Sequence, residues 1–294
     1  MVVVITKDTK VVVQGATGHQ GQFHIQAMKE FGTKVVAGVT PGRKGENVHG
    51  VPVFNDCFDA AAATGANTSL IFVPAAYAKD AVYEALDAGL KTVIVITEHI
   101  PVHDALDFVH YAKYKGATLI GPNCPGAASP PVHAKVGILP GMIFKPGNVG
   151  IASKSGTLTY EIVNALSEAG IGQSSCLGLG GDPIPGTTFN DALRLFQDDP
   201  ETHQIVLVGE IGGTAEEEAA AFIRKNVKKP VYAYVAGRTA PEGKRMGHAG
   251  AIVSRGMGTA ASKQKAFEEA NVKVARFPTD IADFIKADLG NSRK

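Results

Sequence analysis

Short runs of apolar, mostly β-branched residues alternate along the chain with longer stretches whose apolar positions recur every three or four residues. VVVQG at 11–15 predicts a buried strand, and the spacing after it predicts a helix over 20–31. The rhythm continues through KVVAGV (34–39), SLIFVP (69–74), a helical KDAVYEALDAGL (79–90), KTVIVIT (91–97) and ATLIG (117–121). Strands separated by helices in this way form a parallel sheet with helices on both faces. PNCPGAASPPVHAK (122–135) breaks the rhythm with proline and glycine and marks the start of a linker. After KPGNVGIAS (145–153) the alternation resumes. A helix is expected over 157–169, a buried strand in QIVLVGEIGG (204–213), a helix with an acidic first turn in AEEEAAAFIRKN (215–226), and a strand in VYAYVAG (231–237). The pattern predicts two α/β domains joined near 125–147.

Composition narrows the classes. With 29 basic and 28 acidic side chains in 294 residues, the net charge is +1. Nucleic-acid and membrane-surface proteins carry a strongly basic footprint, which is missing here. No apolar run reaches the length of a membrane span. Cys57, Cys124 and Cys176 are odd in number and show no CxxC spacing, so neither a disulfide framework nor a zinc site is expected. Lys7, Asp8 and Lys10 interrupt the first apolar runs, and no transit-peptide character is visible. The expectation is a cytoplasmic protein, although a mature mitochondrial matrix chain would read the same way.

Glycine-rich turns follow several of the strands. QGATGHQGQF (14–23) places Gly15, Gly18 and Gly21 after a strand and at a helix start, where free N–H groups and the helix dipole favour an anion. The spacing is GxxGxxG rather than GxGxxG, so a plain tight turn is the alternative. The second strand ends in VTPGRKGE, with Arg43 and Lys44 where an acidic residue would signal NAD. Those cations suit a ligand with an extra ribose phosphate, NADP or coenzyme A, unless they merely solvate a loop. In the second half, SKSGTLTYE (153–161) sets Ser155 as a helix N-cap followed by Gly156. GGDPIPG (180–186) reads as shaped backbone. GEIGG (209–213) ends a buried strand on Glu210, either a solvated edge residue or an orienting partner for a histidine. No Walker A loop occurs; GRTAPEGKR has the wrong spacing and no Ser or Thr after its GK.

GKRMGHAGAIV (243–253) frames His248 with Gly247 and Gly250, downstream of Lys244 and Arg245. A lone histidine is most often structural, but this one has open approaches and positive charge at hand. Among the other histidines, His103 and His110 read as surface residues, His49 and His133 as loop residues, His24 as a structural helix residue and His19 as a glycine-loop residue that would touch a ligand by position. No pair has zinc-site spacing.

SKSGTLTYE, Gly170, GDPIPG, GEIGG and GRTAPEGKRMGHAGAI resemble the alpha-subunit family of succinyl-CoA synthetase, also called succinate–CoA ligase. QGATGHQGQFH, GVTPG, ITE and GPNCPG are similar to the first half of the same family, so the resemblance covers nearly the whole chain in order. It implies a Rossmann-like CoA-binding domain over 1–124, a linker over 125–147 and a flavodoxin-like ligase domain over 148–294. By resemblance, His248 becomes phosphorylated, Glu210 orients it, Ser155 and Gly156 hold phosphate, and Tyr160 contacts substrate. Thr17, Gly18, His19 and Gln20 would cradle CoA, with Arg43 near its phosphates, Ile96, Thr97 and Glu98 along the pantetheine, and Asn123 and Cys124 near the thiol. The implied reaction belongs to the tricarboxylic acid cycle: NTP, succinate and CoA give NDP, phosphate and succinyl-CoA through phosphohistidine and succinyl phosphate. ATP or GTP and Mg2+ would sit on an ATP-grasp beta subunit, the partner in a heterodimer, and no metal on this chain.

The chain departs from the family pattern at His19, at Arg43-Lys44, and in ASPPVHAKVG (128–137) and VSRGMGTAA (253–261). The departures at His19 and in 128–137 bear on CoA affinity, and Arg43-Lys44 keeps the charge but changes its geometry; none touches His248, Glu210 or the SKSG turn. Related malate– and acetate–CoA ligases share the layout and are the alternative acid–CoA ligases. An NADP-binding oxidoreductase would use the glycine loop and Arg43 but leave the second-half motifs unexplained. A non-catalytic CoA-binding or redox-sensing module, or a scaffold for a partner, would not need His248.

Overall fold

The computed structural model describes residues 4–254 and 256–291. Arg255, within the departing segment 253–261, lies outside the described residues, as do the first three residues. The chain divides into two compact units, Val4–Gly141 with Asp182–Thr187, and Met142–Gly181 with the chain from Thr188.

In the first unit the elements run β1 (Lys10–Gln14), α1 (His19–Phe31), β2 (Lys34–Val39), β3 (Asn47–Val48), β4 (Val51–Phe54), α2 (Cys57–Thr64), β5 (Thr68–Ile71), α3 (Ala75–Asp87), β6 (Thr92–Val95), α4 (Val102–Tyr114) and β7 (Thr118–Ile120). They build a sheet in the order β3-β4-β2-β1-β5-β6-β7, parallel except for the β3–β4 pair. β1 is buried on both faces, which is why Val11, Val12 and Val13 form an unbroken apolar run. α3 turns Ala78, Ala81, Val82, Ala85 and Leu86 inward at helical spacing. Each buried Val or Leu there contributes about 1.5–3 kcal/mol. This helix starts at Ala75, ahead of the apolar spacing that suggested Lys79, because Pro74 at the N-cap has no N–H to leave unsatisfied. Residues 125–147, expected to link two domains, carry the antiparallel pair β8 (Gly126–Ser129) and β9 (Ala134–Gly137).

The second unit contains β10 (Pro146–Ser153), α5 (Gly156–Glu168), β11 (Gln173–Gly178), α6 (Phe189–Asp198), β12 (Gln204–Glu210), α7 (Ala215–Asn226), β13 (Val231–Ala236), α8 (Ala260–Glu269), β14 (Lys273–Ala275) and α9 (Asp280–Asn291). Its parallel strands lie in the order β14-β13-β12-β10-β11. The strand expected through 213 ends at Glu210, where Gly212 (φ 90°) and Gly213 (φ 58°) turn the chain into α7. In each unit the chain leaves its first long parallel strand to one side and later returns to the other. β1 therefore lies between β2 and β5, and β10 between β11 and β12. Such switch points open a crevice at the carboxyl ends of the strands, where ligands bind in sheets of this kind.

Candidate active site

In the first unit, Gly15 leaves β1 with φ 81°, and α1 packs so closely on the loop that a Cβ at Gly21 would lie 2.3 Å from the Gly15 carbonyl oxygen. Gly18 is the N-cap of α1 and no side chain caps it. The first-turn N–H groups have no partner within the helix and face outward for an acceptor. Gly18, His19 and Gln20 are exposed. Thr17 donates its N–H (3.3 Å) and its hydroxyl (3.2 Å) to Thr40 Oγ1, tying the loop to the end of β2. Beyond β2, Arg43 pairs with Glu46 at 2.9 Å and Lys44 with Asp59 at 2.8 Å, all at the surface.

Further along the same sheet, the Ile96 N–H donates to Ile71 (3.2 Å) and the Thr97 hydroxyl to the Val73 carbonyl (2.6 Å). Asn123, held at φ 53°, donates its N–H to the Thr97 carbonyl (3.0 Å) and its amide to Asp182 (3.0 Å). Cys124 is buried and donates its thiol to the Val95 carbonyl at 3.3 Å. Burial pushes that thiol up to about 12, so it packs rather than reacts. The structure thus brings Thr97, Asn123 and Cys124 together, and Thr17 against Thr40. Glu98 is exposed, beside His99.

In the second unit, His248 Nδ1 lies 2.7 Å from Glu210 Oε2. The turn that carries it is closed by backbone bonds from Met246 N–H to the Ala251 carbonyl (2.9 Å) and from Ala251 N–H to the His248 carbonyl (3.1 Å). A Cβ at Gly181 would stand 2.3 Å from His248 Cγ, so the imidazole lies against bare backbone. With Glu210 accepting from Nδ1–H, the neutral ring carries its lone pair on Nε2. Ser155 caps α5, its Oγ accepting the Leu158 N–H at 3.3 Å, and still has an O–H to donate. Gly156 opens the helix, and Tyr160 is half-buried one turn on.

Behind these groups lies a charge cluster that sequence reasoning missed. Glu216 is fully buried between Lys154 (2.9 Å) and the equally buried Lys263. In the sequence, Glu216 is one of three consecutive glutamates in a helix's first turn, which reads as a solvated acidic start; nothing there marks which one points inward. Among the described residues, no group of three or more His, Cys, Asp or Glu is arranged to hold a metal, and no helix is long and apolar enough to cross a membrane.

Two family profiles match the chain: a CoA binding domain over residues 6–99 and a CoA-ligase domain over residues 152–273. The fold and both turns therefore belong to the class of CoA ligases. The chain is 57% identical over 285 residues, 97% of its length and 99% of the relative's, to "Succinate–CoA ligase [ADP-forming] subunit alpha 2" of Archaeoglobus fulgidus. To the alpha subunit of the same name from Aquifex aeolicus it is 55% identical over 287 residues, 97% of this chain and 94% of that one. Among solved structures, the ATP citrate lyase of Methanothrix soehngenii, in complex with citrate and coenzyme A, superposes with a TM-score of 0.87 at 25% identity, covering 97% of this chain. The chain spans 51% of that lyase's length. The chain belongs to the family of succinate–CoA ligase alpha subunits. Its relatives are named as subunits, which implies a partner chain.

Proposed function

We propose that the chain, assembled with an ATP-grasp beta subunit, converts NTP, succinate and CoA reversibly into NDP, phosphate and succinyl-CoA in the tricarboxylic acid cycle, with His248 as the phosphoryl carrier. The 2.7 Å contact between His248 Nδ1 and Glu210 Oε2 carries this reading. Nε2 attacks the terminal phosphorus of the nucleotide; the N–P bond forms as the P–O bond to NDP breaks. Nδ1 keeps its proton throughout, and Glu210 balances the positive charge the ring acquires. A succinate carboxylate oxygen next takes the phosphoryl group, breaking N–P and returning His248 to its neutral form. The CoA sulfur then attacks the acyl carbon of succinyl phosphate, the C–O bond to phosphate breaks, and the thiol proton leaves with solvent. Ser155 and the N–H groups from Gly156 onward suit phosphate at the α5 N-terminus. Tyr160, on the next turn, is the substrate contact. Nucleotide and Mg2+ belong to the partner in this scheme, and the ADP-forming names of the relatives favour ATP over GTP.

Several features support Thr17, Gly18, His19, Gln20, Arg43, Ile96, Thr97, Glu98, Asn123 and Cys124 as the CoA site: the uncapped α1 start, the cations beyond β2 and the Thr97–Asn123 contact. Relatives from Aquifex and Staphylococcus support a cytoplasmic location. The test is intact-mass measurement of this chain, co-expressed with its beta partner and incubated with Mg2+–ATP or Mg2+–GTP. One acid-labile phosphoryl group should appear, be absent in His248→Ala, and discharge with succinate plus CoA; other acids can be tried at that last step. An assembled pair that labels with neither nucleotide overturns the reading.

A further inference from the structure

Glu216 stands at the centre of a cluster that the reaction does not use directly. Its Oε1 accepts from the backbone N–H of Glu210 at 3.1 Å and from Lys154 Nζ at 2.9 Å. Its Oε2 accepts from Lys263, whose ammonium also donates to the Gly213 carbonyl at 3.1 Å and meets Glu217 at 3.3 Å. The side chains of Glu216 and Lys263 are both 0% exposed, Lys154 is 17% exposed and Glu217 28%. Burial pushes the Glu216 carboxyl up, but Lys154 and Lys263 outweigh it and hold it below the ordinary carboxylate range. Gly209 makes the approach possible, since a Cβ there would come within 2.6 Å of Glu216 Cγ.

The connectivity sets this cluster apart from ordinary packing. Glu210 is the residue whose side chain holds His248, and Lys154 is the residue that leads into the Ser155 cap. One carboxylate oxygen therefore grips both halves of the proposed phosphoryl site from beneath. Buried charge clusters add little net stability, because desolvation offsets most of the attraction, whereas a carboxylate with several fixed donors does define registry. Two ammoniums face one fully buried carboxylate and one half-buried carboxylate, with Lys154 on the side of the anion-binding turn.

We propose that Glu216 is the positioning residue of this site: it sets the Glu210–His248 pair and the Ser155 turn in register, so that Nε2 and the phosphate-holding N–H groups address the same phosphorus. The inference rests on His248 being the phosphoryl carrier. It is tested in the assembled pair with two variants, Glu216→Gln and the charge-neutral Glu216→Gln/Lys263→Met. The readouts are the single-turnover rate of His248 labelling by Mg2+–ATP, the ATP concentration giving half that rate, the thermal midpoint, and the 15N shifts of the His248 imidazole. Glu216→Gln should slow labelling about tenfold, as expected for loosened positioning, with the half-saturating ATP concentration unchanged. Its imidazole 15N pattern should move from the Nδ1–H tautomer toward the mixture of a free histidine. The double variant should regain thermal stability without regaining rate; if the single variant does not assemble, the double carries the test. Wild-type labelling rates in folded Glu216→Gln, or recovery of rate together with stability in the double, would reduce the cluster to packing and overturn the proposal. If the wild-type pair never labels His248, the carrier reading fails instead, and the 15N pattern, which needs no nucleotide, still decides whether Glu216 positions the ring.

Discussion

Two helices begin at the switch points of the two sheets, and their first turns differ in what stands behind them. α1 starts from Gly18 with no side-chain cap, and the buried polar group on the strand before it is neutral Gln14, whose amide donates to Ser69 Oγ and the Ala81 carbonyl, each at 2.9 Å. The cations beyond β2, Arg43 and Lys44, sit in surface pairs. α5 starts from Ser155, which caps it with its own hydroxyl, and behind it the fully buried Glu216 and Lys263 meet the partly exposed Lys154. Exposed pairs are screened by water and add little. Buried charges act through a lower dielectric and keep their orientation. The first turn therefore suits a ligand that is recognised by backbone and then released. The second suits a group on which charge develops during reaction. Both lie on the same kind of sheet, so the division of labour comes from the turns.

The comparison breaks if the first turn does not depend on bare backbone. Gly21→Ala drives a Cβ to 2.3 Å from the Gly15 carbonyl and 2.9 Å from Ala16 Cα, with backbone on every side. The expected cost is about 3 kcal/mol, read by denaturant unfolding, with loss of CoA binding in calorimetry. Gly18→Ala is the matched control. Its φ of −73° suits any residue, and its Cβ would come no closer than 3.4 Å to Gly15. Stability should change by about 0.5 kcal/mol or less, while CoA binding weakens about tenfold because a methyl group occupies the approach to the N–H groups. Equal effects of the two substitutions would mean that the glycines serve only the turn.

The second turn depends on side chains, and the expected effect is smaller. Ser155→Ala removes the acceptor for the Leu158 N–H and should cost about 1 kcal/mol. The proposed labelling of His248 should fall by more than that loss of stability explains, since the same hydroxyl is available to donate to phosphate. A stability loss with unchanged labelling rate would make Ser155 a cap and nothing more.

Much of this was legible in the sequence, and the gaps have physical causes. VVVQG, KVVAGV and VYAYVAG read as strands because each is a short, mostly apolar run rich in valine, and the glycines after them mark where the chain must turn. His248 and Glu210 lie 38 residues apart, yet both stood out as polar residues set among glycines, and the structure puts them in contact. Glu216 and Lys263 gave no such signal. A glutamate in a helix's first turn and a lysine in SKQK look like solvated faces, and only the packing of α8 on α7 buries them. The strands β8 and β9 were hidden for another reason: their alanines and glycines lack the β-branched signature, and a hairpin pairs them regardless. The return of Asp182–Thr187 to the first unit depends on tertiary bonds, Gly186 N–H to Gly121 (2.8 Å) and the Thr187 hydroxyl to Leu119 (2.6 Å), which no local pattern encodes.

The same contrast separates two histidines, and it gives the smallest of the expected effects. His248 has a carboxylate at Nδ1. His24, on α1, instead stacks on Phe72 at 5.4 Å, touches Phe23 edge-on and feels Lys135 on β9. Burial first, and then the lysine, lower its pKa to about 4. Lys135 is itself buried and lowered to about 8, with Glu30 opposing the shift. Both groups are thus depressed cations. Between pH 4 and 6.5 the unfolded chain binds a proton at His24 that the folded chain refuses, so stability rises with pH across that window and is lost as the medium is acidified through it. For Lys135 the rise falls between about 8 and 10.5. Denaturant unfolding at a series of pH values should show the acid-side slope in the wild type and a flatter one in His24→Gln. Identical slopes would mean that His24 takes up its proton as readily in the folded chain as in the unfolded one. The first unit would then tolerate a charge on α1, and the contrast with the second unit's buried charges would lose half its basis.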